Sequence, residues 1–245
     1  MSNVHVLRFD AAVPQICVPL CGETIADLGR KTQQLVNKPF DMIQFHSGSF
    51  NGVINFSQLW NALLTITKES DEAPLIFSCD MSQIPEYYHT ETDYHNILLF
   101  AVRTGLVDAV EIESTLREDY MDDIAERAVD SGIVPIITLR LAGGSTAAMV
   151  TQKLTAIADS DASMFHLLCP VRSAADIEAL KTGAAVFADS RKKVQIIIEP
   201  TGPAAKKELL AGSTFGSPVL YAAGGEETET RLSSTVLQTL LQKEP

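Results

Sequence analysis

The 245-residue sequence predicts an α/β protein, a (β/α)8 TIM barrel, on three observations. First, eight short apolar runs recur: QICVPL (15–20), DMIQFHS (41–47), APLIFSC (73–79), DAVEIES (108–114), VPIITLRL (134–141), MFHLLCP (164–170), VQIIIEP (194–200) and SPVLYAA (217–223). Each is rich in Val, Ile, Leu or Phe, the pattern of strands buried on both faces. Second, the segments between them carry apolar residues at helical spacing, so strands and helices alternate. Third, eight units over about 230 residues give about 29 residues per unit, the size of one repeat of a closed barrel. A doubly wound open sheet is the alternative. It would carry a Gly-rich first turn, whereas the first turn here, LCGETIA, has a single Gly.

Taken in order, VHVLRF (4–9) alternates like a strand, and the turn from Asp10 to Pro14 predicts an N-terminal β-hairpin that closes the barrel bottom. After the first barrel strand, Ile25, Leu28, Leu35 and Val36 form a helical stripe; after the second, Phe56, Leu59, Trp60, Leu63 and Ile66 form another. Ile97, Leu98 and Ala101 mark the third helix, Ile124 and Ala128 the fourth, Val150 and Leu154 the fifth, Ile177 and Leu180 the sixth. Ser57, Ser145 and Ser173 are the expected caps of the second, fifth and sixth helices. The seventh helix, in PAAKKELLAG (203–212), is the weakest, being short and flanked by Pro and Gly; Val236, Leu237, Leu240 and Leu241 close the series. No linker-like stretch divides the chain, so residues 1–245 are read as a single domain.

Composition narrows the function. Acidic residues outnumber basic ones, 31 to 19, for a formal charge of −12. An anionic surface repels phosphate backbones and anionic lipid, so neither nucleic acid nor a membrane surface is an expected partner. Cys17, Cys21, Cys79 and Cys169 are too scattered for a disulfide framework, and the C-x3-C pair lacks a second zinc-ligand pair. MSNVHVLRFDAA shows neither the basic start nor the apolar core of a signal peptide, and no apolar stretch approaches the roughly 20 residues of a membrane span. A soluble, reduced, cytoplasmic protein is expected.

The ordered motifs resemble one family. VHVLRFDAAVPQICVPLCGETIADL is similar to the N-terminal hairpin, first strand and first turn of the type I 3-dehydroquinate dehydratases of the shikimate pathway. TGLVDAVEIES (104–114) resembles their fourth strand, LLCPVRSAADIEAL (167–180) their sixth strand end and following helix, and FGSPVLYAAG (215–224) their last strand. The resemblance spans nearly the whole chain. It implies a TIM barrel, a homodimer, no metal or organic cofactor, and a lyase reaction from 3-dehydroquinate to 3-dehydroshikimate in aromatic amino acid biosynthesis. That chemistry runs through a Schiff base: a Lys on strand six attacks the ketone, a His on strand five moves protons, and a Glu on strand four orients the His. The attacking amine must be neutral, and the iminium then serves as electron sink.

Carried over residue by residue, the resemblance retains Glu113 for the strand-four Glu. The strand-five His position reads Arg140. Counting back from Pro170, the Lys position reads Phe165; a slip of one residue would instead turn His166 into the mouth. The second-strand acid and Arg are replaced in Gln44-Phe45-His46-Ser47, and the third-strand Arg by Asp80. The family's lid motif reads Thr228-Glu229-Thr230-Arg231-Leu232, and the loop AGGEETETR (223–231) that carries most of it is expected to be mobile. No lysine stands at the C-terminal end of a strand, where barrel active sites lie.

The mouth nonetheless remains polar, with Gln44, His46, Asp80, Glu111, Glu113, Arg140, His166, Glu199 and Tyr221 at strand ends. Arg140 is read as the ion-pair partner of Glu113 and Asp80; alternatively, with His46, it binds the carboxylate or phosphate of a small anionic metabolite. A metal on His46, Asp80, Glu113 and His166 has no diagnostic spacing to support it. The loop SQIPEYYHTETDY (82–94), with Tyr87 and Tyr88, is read as a solvated loop, with a lid or dimer surface as the alternative. The expectation is therefore a pseudoenzyme of the dehydratase family. The alternatives are low retained dehydratase activity, or a different barrel reaction using Glu113, Arg140 and a histidine.

Overall fold

The computed structural model describes Leu7, residues 13–80, Ser82, and residues 90–157, 162–191 and 194–242. Strands and helices alternate throughout: β1 (Gln15–Leu20), α1 (Ile25–Leu35), β2 (Met42–His46), α2 (Phe56–Glu69), β3 (Leu75–Ser78), α3 (Glu91–Thr104), β4 (Ala109–Glu113) and α4 (Glu118–Asp130) form the first half. The second half is β5 (Val134–Arg140), α5 (Ala147–Ala156), β6 (Met164–Pro170), α6 (Ala174–Ser190), β7 (Gln195–Thr201), α7 (Pro203–Leu210), β8 (Val219–Tyr221) and α8 (Ser234–Leu241). Every expected strand is present, and each boundary falls within two residues of its apolar run. The hairpin expected over 4–9 lies outside the described residues except for Leu7.

All strand pairs are parallel, in the order β7-β6-β5-β4-β3-β2-β1-β8, so the sheet curls into a nearly closed (β/α)8 barrel. The seam falls between β7 and β8, where the Ser217 hydroxyl takes the place of ladder bonds. It accepts from Ile198 N–H at 3.0 Å and donates to Val219 O at 2.7 Å. Ser217 is fully buried. Ser217→Ala strands a buried donor and acceptor and is expected to cost about 1–3 kcal/mol, read as a lower denaturant midpoint at unchanged slope.

Six helices begin on a side-chain cap that accepts the N–H three residues on: Thr24, Asn55, Thr90, Thr146, Ser173 and Ser233. Ser173 is the cap expected. For α2 the cap is Asn55, not Ser57, because Asn55 has the extended backbone that lets its side chain reach back to Gln58 N. For α5 it is Thr146, while Ser145 instead bonds the Ala142 carbonyl. The short α7 opens on Pro203, whose missing N–H costs nothing in the first turn. Gly183 lets α5 press onto α6: a Cβ there would lie 2.6 Å from the Ala147 carbonyl oxygen.

Alternation along the strands divides the core. Outward residues such as Val18, Phe45, Phe77, Ile112, Ile137 and Phe165 pack against the helices. Inward residues at the N-terminal end, including Cys17, Met42, Ile76, Ile136, Met164 and Ile197, fill the barrel bottom, with Leu7 against them. Above that apolar layer the interior turns polar.

Candidate functional site

The next inward layer holds Gln44 on β2, Glu111 on β4, His166 on β6 and Glu199 on β7, all buried. Gln44 Nε2 donates to Glu111 Oε2 at 2.8 Å. His166 stands between two carboxylates, Nδ1 3.0 Å from Glu111 Oε1 and Nε2 3.0 Å from Glu199 Oε2. A neutral imidazole has one N–H, so only the imidazolium can donate to both acceptors. Burial works against that charge, but the two carboxylates outweigh it and lift the His166 pKa to about 9. Glu111 is held at about 2 against its own burial, by His166 and by a hydrogen bond from Ser78. The Tyr221 ring stacks on the imidazole, 5.1 Å between centroids and 8° from parallel.

From the loop after β8, Arg231 reaches inward to complete this layer. Its guanidinium pairs with Glu199 Oε1 and lies over the Tyr221 ring. Lys206 on α7 anchors the same loop through Glu227 at 2.7 Å and the Thr228 carbonyl. The two cations His166 and Arg231 therefore balance the two anions Glu111 and Glu199, as buried charge requires.

One layer nearer solvent stand Asp80, Glu113 and Arg140, at the C-terminal ends of β3, β4 and β5. Arg140 donates to Glu113 through Nε and Nη2 at 3.1 and 2.9 Å, and its Nη2 is 3.4 Å from Asp80. Burial raises the Glu113 pKa, and Arg140 opposes the rise. The Glu113 N–H is fixed by the buried Tyr94 hydroxyl at 2.9 Å. His46 faces the same interior and experiences the field of Glu111, Glu199, Arg231 and Arg140. Burial lowers its pKa, so it is neutral at pH 7, and its ring makes no hydrogen bond among the described residues.

Two sequence expectations are corrected. Phe165 does not face the interior: it points to the helical layer and packs edge-on against Phe187 of α6, 5.5 Å between centroids. The pairing of Thr138 with His166 fixes β6 so that His166 points inward. His166 meets Glu111 and Glu199 there, not the neighbouring Glu113. The other correction concerns the last loop, which is tied down by Arg231 and Lys206. The pairing of Arg140 with Glu113 and Asp80 is found as expected. Gln44 sits in the interior bonded to Glu111. Of the loop expected at 82–94, residues 83–89, including Tyr87 and Tyr88, lie outside the described residues, and residues 91–94 belong instead to the first turn of α3, capped by Thr90. Arg231 was not among the expected site residues, since nothing in the spacing of a loop residue reveals an inward reach.

The fold is a (β/α)8 barrel with a polar C-terminal mouth, the end at which barrel active sites assemble. A family model for type I 3-dehydroquinase matches residues 16–243. The chain belongs to that family. It is 24% identical over 234 residues to a 3-dehydroquinate dehydratase of Syntrophotalea carbinolica, covering 92% of this chain and 91% of the relative. A 3-dehydroquinate dehydratase of Lactiplantibacillus plantarum is 23% identical over 214 residues, covering 86% and 84%. Among solved structures, a type I 3-dehydroquinate dehydratase from Clostridium difficile, carrying covalently modified comenic acid, superposes with a TM-score of 0.83 at 19% identity, covering 94% and 91%. The enzyme from Geobacillus kaustophilus does so with a TM-score of 0.81 at 18% identity, covering 94% and 90%. Among the described residues, no helix is long and apolar enough to cross a membrane.

Proposed function

We propose that this chain is a pseudoenzyme of the type I 3-dehydroquinase family, a single barrel domain that binds a small metabolite at its mouth without Schiff-base catalysis. The observation that carries the reading is the charged inward side chain of β6, His166, an imidazolium locked between Glu111 and Glu199. Imine formation needs a neutral primary amine. His166 is neither primary nor neutral, and both of its N–H groups are engaged. Among the described residues, the lysines lie on helices or loops and none occupies an inward strand position. Glu113, which the resemblance pairs with a proton-moving histidine, is bound instead to the permanent cation Arg140. The same reading carries over from the family a cytoplasmic homodimer. Mixing the protein with 3-dehydroquinate is expected to produce no conjugated enone above the buffer rate, by ultraviolet absorbance. Turnover that persists in a Glu113→Gln, His46→Ala double variant would be contamination, whereas turnover lost in that variant would overturn the proposal.

A further inference from the structure

The barrel axis has little to offer a ligand, because its charges already compensate one another. Beside it, on the β4–β5 side of the mouth, lies a cleft of about 630 Å³ lined by Asp80, Glu113, Ser82, Ser114, Arg140 and Lys153, with Leu139 and Ile157 as apolar wall. That volume is in the range of small-molecule sites. Arg140 spends Nε and Nη2 on Glu113 and Asp80, while Nη1 bonds no described residue and the side chain is 44% exposed. Lys153 of α5 lines the same cleft, and among the described residues it forms no ion pair. Thr115 also lines the cleft.

The geometry points to an off-axis oxyanion site, in which a carboxylate or phosphate group is held by Arg140 Nη1 and the Lys153 ammonium. Asp80 and Glu113 do not prevent this, since Arg140 neutralises part of their charge and fixes their orientation. They also set a preference. A singly charged carboxylate with adjacent hydroxyls can donate to Glu113 and Ser114, whereas a dianion meets carboxylate oxygens on the same wall. The inference rests on the part of that reading by which the mouth binds a small ligand, not on the absence of a Schiff base, and it assigns the binding to a different place and to Lys153.

The test is calorimetric titration with two probes, glycolate and inorganic phosphate, at low ionic strength. Wild-type protein is expected to bind both competitively, glycolate more tightly. Lys153→Glu is expected to weaken glycolate by about tenfold or more, the loss of one charged hydrogen bond. Lys68→Glu, the same charge change on exposed α2, should leave it within about twofold. Absence of saturable binding to wild type, or equal losses in the two variants, overturns the site. Tighter phosphate than glycolate overturns the preference for a single charge. Neither probe is a ketone, so the outcome is independent of Schiff-base formation. A trapped adduct would sink the proposed function and leave this site standing.

Discussion

His166→Leu is expected to lower the stability of the folded chain by about 3–5 kcal/mol, the scale for removing one partner from a buried charge cluster. At the entropy of unfolding of a domain this size, that is a melting temperature lower by roughly 6–20 °C. The physical cause is specific. Without the imidazolium, Glu111 and Glu199 face each other across the interior with only Gln44, Ser78 and Arg231 to answer them. One carboxylate must then take up a proton or unfold the layer. Adding Glu111→Gln to His166→Leu should recover part of the loss, because the uncompensated charge goes with it. Differential scanning calorimetry of the single and double variants measures both. If the double variant is less stable than His166→Leu by the full cost of a second lesion, the ion cluster is not the source.

The second large effect is on pH. His166 has a folded pKa near 9, against about 6.5 when unfolded. Its stabilisation is fully present below pH 6.5 and is lost as pH rises through 9. Glu111 runs the other way: its folded pKa is near 2 against an unfolded value of 4.5, so its contribution is present above pH 4.5 and is lost as pH falls toward 2. The contributions of these two groups are therefore together greatest between about pH 4.5 and 6.5, and that of His166 falls by about 3 kcal/mol between pH 6.5 and 9. His46, with its lowered folded pKa, instead favours the unfolded chain as pH drops below about 6.5. The buried Cys17 thiol and Tyr221 phenol have pKa values pushed well up by burial. Together with the buried Cys79 thiol, Cys17 begins to favour the unfolded chain near the ordinary thiol pKa of about 8.5, and the Tyr94 and Tyr221 phenols only nearer about 10, so His166 dominates the lower part of the limb. Urea unfolding at closely spaced pH values tests the assignment, and His166→Leu should flatten the alkaline limb. A limb of equal slope in that variant would assign the titration elsewhere.

The barrel was legible because its strands are buried on both faces and so read as apolar runs, each bounded by polar turns. The candidate site was legible where a strand alternates. In β4, Glu111 and Glu113 are two residues apart, so one inward carboxylate implies the other, and Arg140 at the end of β5 has Glu113 and Asp80 beside it. Strand six is different. MFHLLCP is nearly all apolar, and such a run has no alternation to say which face is which. Counting back from Pro170 therefore left the register open between Phe165 and His166, and the strand adopts the one with His166 inward. One signal was available: a buried inward Glu111 requires a cation, and His166 is the one basic residue of β6. Arg231 and Lys153 were not legible from spacing. The first lies on a loop whose path decides its reach, and the second on a helix whose placement at the mouth is set by packing on α6.

The central claim, that the interior of β6 carries no Schiff-base amine, is tested most directly by intact mass. The protein is incubated with 3-dehydroquinate and then reduced with borohydride, which converts any imine to a stable secondary amine. The account predicts an unchanged mass for the wild-type chain. A single added increment equal to the reduced ligand, mapped by peptide analysis to a lysine at the barrel mouth, would contradict it.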